Sequence, residues 1–183
     1  MRLNEIVVYY SNKASIFIND PEPLFKNVMD LLKEKNSRQS KHFKRCPAFI
    51  NHCENTFVVK NEMNYNLVWR ENDFASSKLD QEYFSTWVKS REVDDGLVGY
   101  LHPSYIFAAN ESVTFSLLPP YMHDCDIAHK AIMLPGTYDV GSHIRPLEAS
   151  MYIKNRNDVL TFKKGDPLYY IKFNTNKSIH RVQ

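Results

Sequence analysis

The sequence contains few glycines and few cysteines for its length. Five glycines in 183 residues argue against a glycine-rich phosphate-binding loop and against a scaffold built mainly of loops. The three cysteines, Cys46, Cys53 and Cys125, are an odd number in a chain long enough to bury a core. A disulfide framework is therefore not implied, and a reducing compartment is favoured.

Long hydrophobic runs and a strong net charge are also missing. No stretch approaches the roughly 18 apolar residues of a membrane-spanning helix, and the apolar run at 6–10 is too short for a signal peptide. The formal net charge of +2 is too small to require a polyanionic partner. These features predict a soluble, cytoplasmic protein that does not enter a membrane.

Aromatic residues, by contrast, are abundant. Tyrosine and phenylalanine each occur 11 times, and the hydrophobic and charged fractions, 43% and 24%, are ordinary for a globular protein. Tyr and Phe fit the pleated, half-buried surface of a sheet, so this composition favours β structure. The length suits a single domain over residues 1–183.

Short β-rich segments separated by turn formers recur along the chain and predict an antiparallel sandwich or jelly roll. Residues 55–61 and 65–71 predict a hairpin, whereas residues 74–87 fit either a helix or a loop followed by a strand. The predicted strands lie in 5–10, 15–18, 55–61, 65–71, 96–102, 104–108, 112–118, 130–135, 148–154, 159–164 and 168–174.

One helix is predicted near the N-terminus, in the segment NDPEPLFKNVMDLLKEKNS (19–37). Asp20 suits the N-cap, and Pro21 suits the first helical position, where its missing N–H costs nothing. Apolar residues at helical spacing form one face that we expect to pack on a sheet. These residues are Leu24, Phe25, Val28, Leu31 and Leu32.

The segment YMHDCDIAH (121–129) concentrates residue types that bind metals. Imidazole nitrogen and carboxylate oxygen are ligands of zinc and of non-haem iron. The candidate ligands are His123, Asp126 and His129 in this segment and His102 and His143 in other turn regions. No familiar metal-binding pattern is met, so we favour a surface loop without a cofactor, whose side chains bond to nearby backbone. Bound zinc or iron is the alternative.

The segment CPAFINHC (46–53) begins and ends with a cysteine, and His52 stands beside Cys53. A thiol next to an imidazole could act as a nucleophile or metal ligand. If the segment is a strand, however, the two side chains point to opposite faces. The favoured interpretation is that these cysteines are small buried apolar residues.

A basic stretch, KEKNSRQSKHFKR (33–45), carries a formal charge of +5. Its charge could contact phosphate or nucleic acid, although a solvated connection is the favoured interpretation. Apart from this stretch, Arg145 is followed by a proline. Its guanidinium could hold a ligand carboxylate or phosphate, or it could pair with a local carboxylate. The candidate anion-binding residues are therefore Lys41, Lys44, Arg45 and Arg145.

Residues 140–173, VGSHIRPLEASMYIKNRNDVLTFKKGDPLYYIKF, end in a strand–turn–strand pattern. This pattern resembles the closing hairpin of dUTPase-like and cupin-like β folds, which implies architecture alone because the catalytic motifs of dUTPases are absent. Together with CPAFINHCENTFVV (46–59), the stretch also resembles uncharacterised proteins from phages of marine bacteria, over about a quarter of the chain. That resemblance implies a viral accessory or virion-associated protein and transfers no activity.

Two functional classes follow from these patterns. The favoured one is a non-enzymatic binding or structural protein, with a homo-oligomer as a natural form, in which exposed aromatic residues serve an interface. The other is a metal-dependent enzyme on a jelly-roll scaffold, with residues 123–129 near its mouth. The first is favoured because no recognisable set of convergent polar groups is visible.

Replacing Leu31 by Ala tests the predicted helix. If the apolar face packs on a sheet, the free energy of unfolding should fall by about 2–5 kcal/mol, as measured by urea denaturation. A loss below about half a kilocalorie per mole would mean that this face is exposed to solvent.

Overall fold

A computed structural model describes residues 5–11, 21–24, 46–71, 73–93, 96–101, 106–142, 147–153 and 155–182. These ranges contain three helices and fifteen strands. The helices are α1 (Pro47–Cys53), α2 (Gln81–Trp87) and α3 (Asp126–Lys130). The strands are β1 (Glu5–Ser11), β2 (Glu22–Pro23), β3 (Thr56–Lys60), β4 (Tyr65–Arg70), β5 (Asp73–Ala75), β6 (Val88–Val93), β7 (Gly96–Leu101), β8 (Ile106–Ala109), β9 (Thr114–Leu118), β10 (Ala131–Met133), β11 (Gly136–Asp139), β12 (Ala149–Ile153), β13 (Val159–Phe162), β14 (Pro167–Phe173) and β15 (Ser178–Val182).

The strands form four sheets, with the orders β15-β1-β8, β10-β12-β7-β6, β11-β9-β14-β3-β2 and β13-β4-β5. All the described pairings are antiparallel except that of β1 with β15, which is parallel. The predicted mainly β, antiparallel architecture is therefore confirmed. No helix within the described ranges is both long and apolar enough to cross a membrane.

A cluster of buried hydrophobic side chains draws on all four sheets. Its centre is β14, whose residues Leu168, Tyr169 and Ile171 are fully buried. Strand β14 lies between β9 and β3, so both of its edges are paired. A strand buried in this way reads as a continuous apolar run, as LYYIKF does in the sequence.

The predicted hairpin of residues 55–61 and 65–71 is wrong, although both strands exist. Strand β3 pairs with β2 and β14, while β4 pairs with β5 and β13 in another sheet. The chain crosses between sheets at Asn61, which is fully buried. Its N–H donates to the Asp166 carbonyl at 2.8 Å, and its own carbonyl accepts from the Gly165 N–H at 2.7 Å. The connection between β3 and β4 is therefore hydrogen-bonded to the adjacent connection between β13 and β14, and it does not close a hairpin turn.

The expected closing hairpin at residues 159–173 is corrected in the same way. A turn is present: Gly165 has a φ of 89°, and the Asp166 N–H donates to the Lys163 carbonyl at 3.0 Å. Glycine adopts this left-handed conformation without the strain that a Cβ would impose. The turn, however, leads from β13 in one sheet to β14 in another, so the two strands are not paired with each other.

The predicted start of the N-terminal helix is also wrong. Glu22 and Pro23 form β2, opposite Val58 and Phe57 of β3. Leu24 continues this pairing, since its N–H donates to the Thr56 carbonyl at 2.8 Å. The local N-cap pattern is thus overridden by pairing with a distant strand. The rest of the predicted helix and the predicted strand at 15–18 lie outside the described residues.

Of the two alternatives that the sequence of residues 74–87 allowed, the structure has the helix, and the short strand in this region comes before the loop instead of after it. Strand β5 ends at Ala75, and α2 begins after Asp80, whose carboxylate accepts hydrogen bonds from the N–H groups of Glu82 and Tyr83 at 3.0 and 3.2 Å. This is the usual N-cap arrangement. Phe84 and Trp87 then anchor the helix in the core.

Candidate functional site

The segment 121–129 divides between two places in the structure. Its second part lines a cavity, whereas Tyr121 and His123 contact other residues beside β14. The expectation of a surface loop is wrong for the second part, because α3 begins at Asp126 and both Cys125 and Ile127 are buried. The side chains of Cys125 and Ile127 pack in the core and so hold this otherwise polar segment in place.

The first place, the α3 cavity, has a volume of about 380 Å³. It lies where α3 meets β13 and the turn that leads to β14. Its lining is Asp124, Cys125, Asp126, His129, Lys130, Thr161, Lys163 and Asp166. Charges of both signs face this cavity, so it suits a small polar molecule better than an apolar one.

Asp126 links α3 to β13. Its Oδ2 accepts hydrogen bonds from the Thr161 N–H at 2.7 Å and from Lys130 Nζ at 2.9 Å. Partial burial raises the pKa of Asp126, but the hydrogen bonds from Lys130 and Thr161 outweigh it, so the pKa lies below its usual range. This carboxylate is therefore occupied by internal partners that favour its charged form.

His129 is paired with Asp124 at the rim of the cavity, with Nε2 and Oδ1 2.6 Å apart. An aspartate in this position orients an imidazole, as in catalytic acid–base pairs. Both side chains are largely exposed, however, with 64% and 96% of their surface accessible to solvent. An exposed pair of this kind is screened by water and contributes little to stability.

The predicted metal ligands are not brought together by the described residues. Asp126 and His129 line the α3 cavity, but His123 does not. No group of three or more His, Cys, Asp or Glu side chains in the described ranges is arranged to hold a metal ion. The remaining candidates lie outside the described residues: His102, His143, Lys41, Lys44, Arg45 and Arg145.

The second place, the His–Tyr cluster, consists of His52, Tyr121, His123 and Tyr170. His52 Nε2 lies 2.5 Å from Tyr121 Oη, and His123 Nδ1 lies 2.5 Å from Tyr170 Oη. The two tyrosine rings meet edge to face, with centroids 5.2 Å apart. The Met122 N–H also donates to Tyr170 Oη at 3.1 Å, which fixes the buried phenol against the turn.

The protonation states in the His–Tyr cluster follow from burial. Burial lowers the pKa of His52 and of His123, and nearby Lys172 and Lys60, respectively, lower them further. Burial raises the pKa of Tyr121 to about 12 and that of Tyr170 well above its usual range. Both imidazoles and both phenols therefore favour their neutral forms, and each imidazole shares a hydrogen bond with one phenol.

Lys172 and Cys53 lie beside this cluster. Lys172 stands two residues after Tyr170 on the same face of β14, and its Nζ donates to the carbonyls of Asn51 and Glu54 at 3.0 Å each. These carbonyls lie at the C-terminal end of α1, where a cation is favourable. Burial raises the pKa of the Cys53 thiol, which does not favour a nucleophilic thiolate.

Helix α1 corrects one argument made from sequence. Residues 47–53 are helical, so the strand geometry assumed for His52 and Cys53 does not apply. Cys53 is buried as predicted, but Cys46 is exposed. The partner of His52 is Tyr121, 69 residues away along the chain, and no local motif indicates that contact.

No protein-family model, curated protein or solved structure matches the chain. The resemblance to phage proteins therefore stays a prediction, and the functional argument depends on the geometry of this chain.

Replacing Asp126 by Asn tests the link between α3 and β13. At pH 7 the variant should be less stable by about 1–3 kcal/mol, because a charge-assisted pair of hydrogen bonds is weakened. Because the pKa of Asp126 is lower in the folded than in the unfolded protein, its charge stabilises the fold at pH values above the unfolded pKa, which is near 4. This stabilisation is lost as the pH falls through the folded pKa. Urea unfolding should therefore show the difference shrinking below about pH 4.

The control is Asp124→Asn, which changes a carboxylate of the same cavity that is almost fully exposed. Its effect at pH 7 should be much smaller. An Asp126→Asn penalty that is equal at pH 3 and pH 7 would contradict the assigned role of the charge.

Proposed function

We propose that the protein is a non-enzymatic binding or structural protein that forms a homodimer through one sheet face. This outer face belongs to the sheet β10-β12-β7-β6. Its residues are Ile132 and Leu134 on the β10 side, Tyr152 and Ser150 on β12, Val98 and Tyr100 on β7, and Arg91 and Lys89 on β6. The observation that carries the proposal is the continuous apolar row formed by Ile132, Tyr152 and Val98.

The alternation along these strands separates the outer face from the core. Met133, Met151 and Leu97 point inward and are at most 3% exposed. Their neighbour Ile132 is 46% exposed, and Leu134 is 38% exposed. An antiparallel sheet with one face in water usually carries polar residues on that face. Contiguous apolar residues at such positions are typical of interaction surfaces.

The register places charge at one edge of this face. Ile132 lies opposite Tyr152, Tyr152 opposite Val98, and Val98 opposite Arg91 on the edge strand β6. In the next row, Tyr100 lies opposite Lys89. The face thus has an apolar and aromatic centre with two exposed cations along β6.

A second copy of the chain complements this arrangement. If two outer faces stack about a two-fold axis parallel to the strands, Arg91 lies over Ile132 of the second copy and Tyr152 lies over Val98. The long Arg stem can cover apolar surface while its guanidinium stays in water. The cations of the two copies then stand at opposite edges. An axis perpendicular to the strands would instead place Arg91 against Lys89, which is repulsive.

The alternative, a metal-dependent enzyme in the α3 cavity, has less support. Asp126 is already engaged by Lys130 and Thr161, and His129 by Asp124. An assembly role through a sheet face also fits the viral accessory or virion-associated protein that the phage resemblance implies.

Ile132→Lys tests the dimer by sedimentation velocity of the full chain at micromolar concentrations. The wild type should be dimeric, and the variant should dissociate at least about tenfold more readily, because burial of an isoleucine contributes about 1.5–3 kcal/mol. The matched control is Ile106→Lys, since Ile106 is 43% exposed but lies on β8 of another sheet. It should leave the dimer unchanged. A wild type that is monomeric throughout, or equal dissociation in both variants, would overturn the proposal.

A further inference from the structure

Helix α1 packs against the rest of the described chain with a small apolar cluster of its own. This cluster is separate from the main core, and its members are Phe49, Cys53 and Leu24. The helix is otherwise joined to β14 and to the turn after β9 by polar side chains, those of His52 and Lys172. An element with few buried apolar contacts has low local stability, so the position of α1 is sensitive to these polar groups.

The turn at residues 121–123 connects α1 to β14 through two imidazole–phenol pairs. On one side, Tyr121 Oη lies 2.5 Å from Nε2 of His52 on α1. On the other side, His123 Nδ1 lies 2.5 Å from Oη of Tyr170 on β14. Both histidines of the His–Tyr cluster therefore belong to contacts between separate parts of the chain.

We propose that the His–Tyr cluster is a pH-sensitive latch: it holds α1 and residues 121–123 on β14 while its imidazoles are neutral, and it releases them when the imidazoles are protonated in mildly acidic solution. The proposal concerns a conformational change within one chain, so it does not depend on the homodimer or on the α3 cavity.

The pair of His123 and Tyr170 requires a neutral imidazole. Tyr170 is fully buried, and its oxygen already accepts a hydrogen bond from the Met122 N–H at 3.1 Å. Among the described residues, the acceptor that remains for the phenol proton is Nδ1 of His123. A protonated imidazole carries a proton on both nitrogens and accepts no hydrogen bond. Protonation would therefore leave a buried phenol proton without an acceptor, which is costly.

The groups that face His52 also oppose its protonation. The Lys172 ammonium on β14 and the Tyr121 phenol face it, and its neighbour Cys53 has a thiol whose pKa burial raises. A second positive charge beside Lys172 is repelled. The adjacent carboxylate, Glu54, interacts with Lys172.

The surroundings of His123 have the same sign. Lys60 on β3 acts on this imidazole and is itself paired with Glu22, at 2.6 Å. The neighbouring carboxylate, Asp124, is paired with His129. Within the described part of the chain, no carboxylate forms an ion pair with either imidazole of the cluster. A proton on His52 or His123 would therefore not be neutralised locally.

The direction of the pH effect follows from these contacts. Burial lowers the pKa of both imidazoles, and a lysine lowers each of them further. The neutral forms therefore stabilise the latched arrangement fully above the ordinary histidine pKa of about 6.5. This stabilisation is lost as the pH falls below that value.

Release would uncover part of a sheet face. Tyr170 and Val58 are paired across β14 and β3, on the face opposite to the core residues Tyr169 and Val59. Both are nevertheless at most 3% exposed. Residues 121–123 contact Tyr170, so their release would expose apolar surface of the kind that binds partners.

The competing interpretation is a static contact, in which the two pairs hold α1 equally well at pH 7.5 and pH 5. Loss of a side chain would destabilise the protein under either interpretation. The pH dependence of local opening distinguishes them, and variants that hydrogen-bond without being protonated show whether the histidines cause it.

Hydrogen–deuterium exchange of the full-length protein at pH 7.5 and pH 5 tests the latch. After correction for the intrinsic rate at each pH, the α1 amides should exchange at least about threefold faster at pH 5, with those of β12 unchanged. The double variant His52→Gln, His123→Asn has neutral amides that hydrogen-bond near the positions of the bonded nitrogens, so its α1 exchange should not rise. The control His180→Gln changes an exposed histidine on β15 and should behave as the wild type does.

Equal α1 exchange at both pH values in the wild type would overturn the proposal. The same holds for a rise that persists in the folded double variant, or for an equal rise in α1 and β12, which would mean that the whole chain unfolds. If circular dichroism shows that the double variant does not fold, nuclear magnetic resonance titration of the wild-type imidazoles decides. A pKa of about 6.5 for both His52 and His123 would overturn the latch, whereas lower values would support it.

Discussion

The fold depends on the hydrogen bonds that one buried asparagine makes where two antiparallel segments pass together from one sheet into another. Asn61 makes four such bonds: its backbone bonds to Gly165 and Asp166, and its side-chain Nδ2 donates to the carbonyls of Met63 and Lys163. Two carbonyls facing the side chain fix the orientation of the amide, because only its nitrogen can donate. Loss of partners at a fully buried polar position would leave these carbonyls unpaired, which is costly.

Both candidate sites follow from this crossing. Strand β13, on one side of it, supplies Thr161 to the α3 cavity, and the turn after β13 supplies Lys163 and Asp166. Strand β14, on the other side, carries Tyr170 into the His–Tyr cluster and Lys172 to the end of α1. A shift of one residue in the register of β14 would exchange the faces of its side chains and remove both tyrosine and lysine from these contacts.

Periodicity predicted the strands well because it is a local property. In β12, for example, Met151 is buried and its neighbour Tyr152 is not, as alternation requires. Pairing is not local, and the polar connection at residues 62–64 fits a tight turn as well as a crossing between sheets. The start of the helix failed for the same reason: Asp20 and Pro21 form a valid N-cap pattern, but the following residues pair with β3. Strands β6, β11 and β15 were missed because their short sequences lack a strong alternating pattern.

The candidate sites were predictable only in part. The part of the segment 121–129 that begins at Asp124 lines a cavity, and its acidic and imidazole side chains gave the signal. The partners of His52 and His123 are tyrosines 69 and 47 residues away, and tyrosine is absent from the usual metal-binding patterns. Tyr170 gives no separate signal, because an aromatic residue in a β-rich segment is first interpreted as part of the core.

The central claim is that β3 and β4 continue as one segment alongside β13 and β14 and do not fold back on each other. Interstrand nuclear Overhauser effects in the isotope-labelled protein test it most directly. The structure predicts backbone contacts between Val58 and Tyr170 and between Leu67 and Leu160, with none between β3 and β4. Backbone contacts between Val58 and Val68, as a hairpin closed at residues 62–64 would give, would contradict the crossing at Asn61 and the placement of both sites.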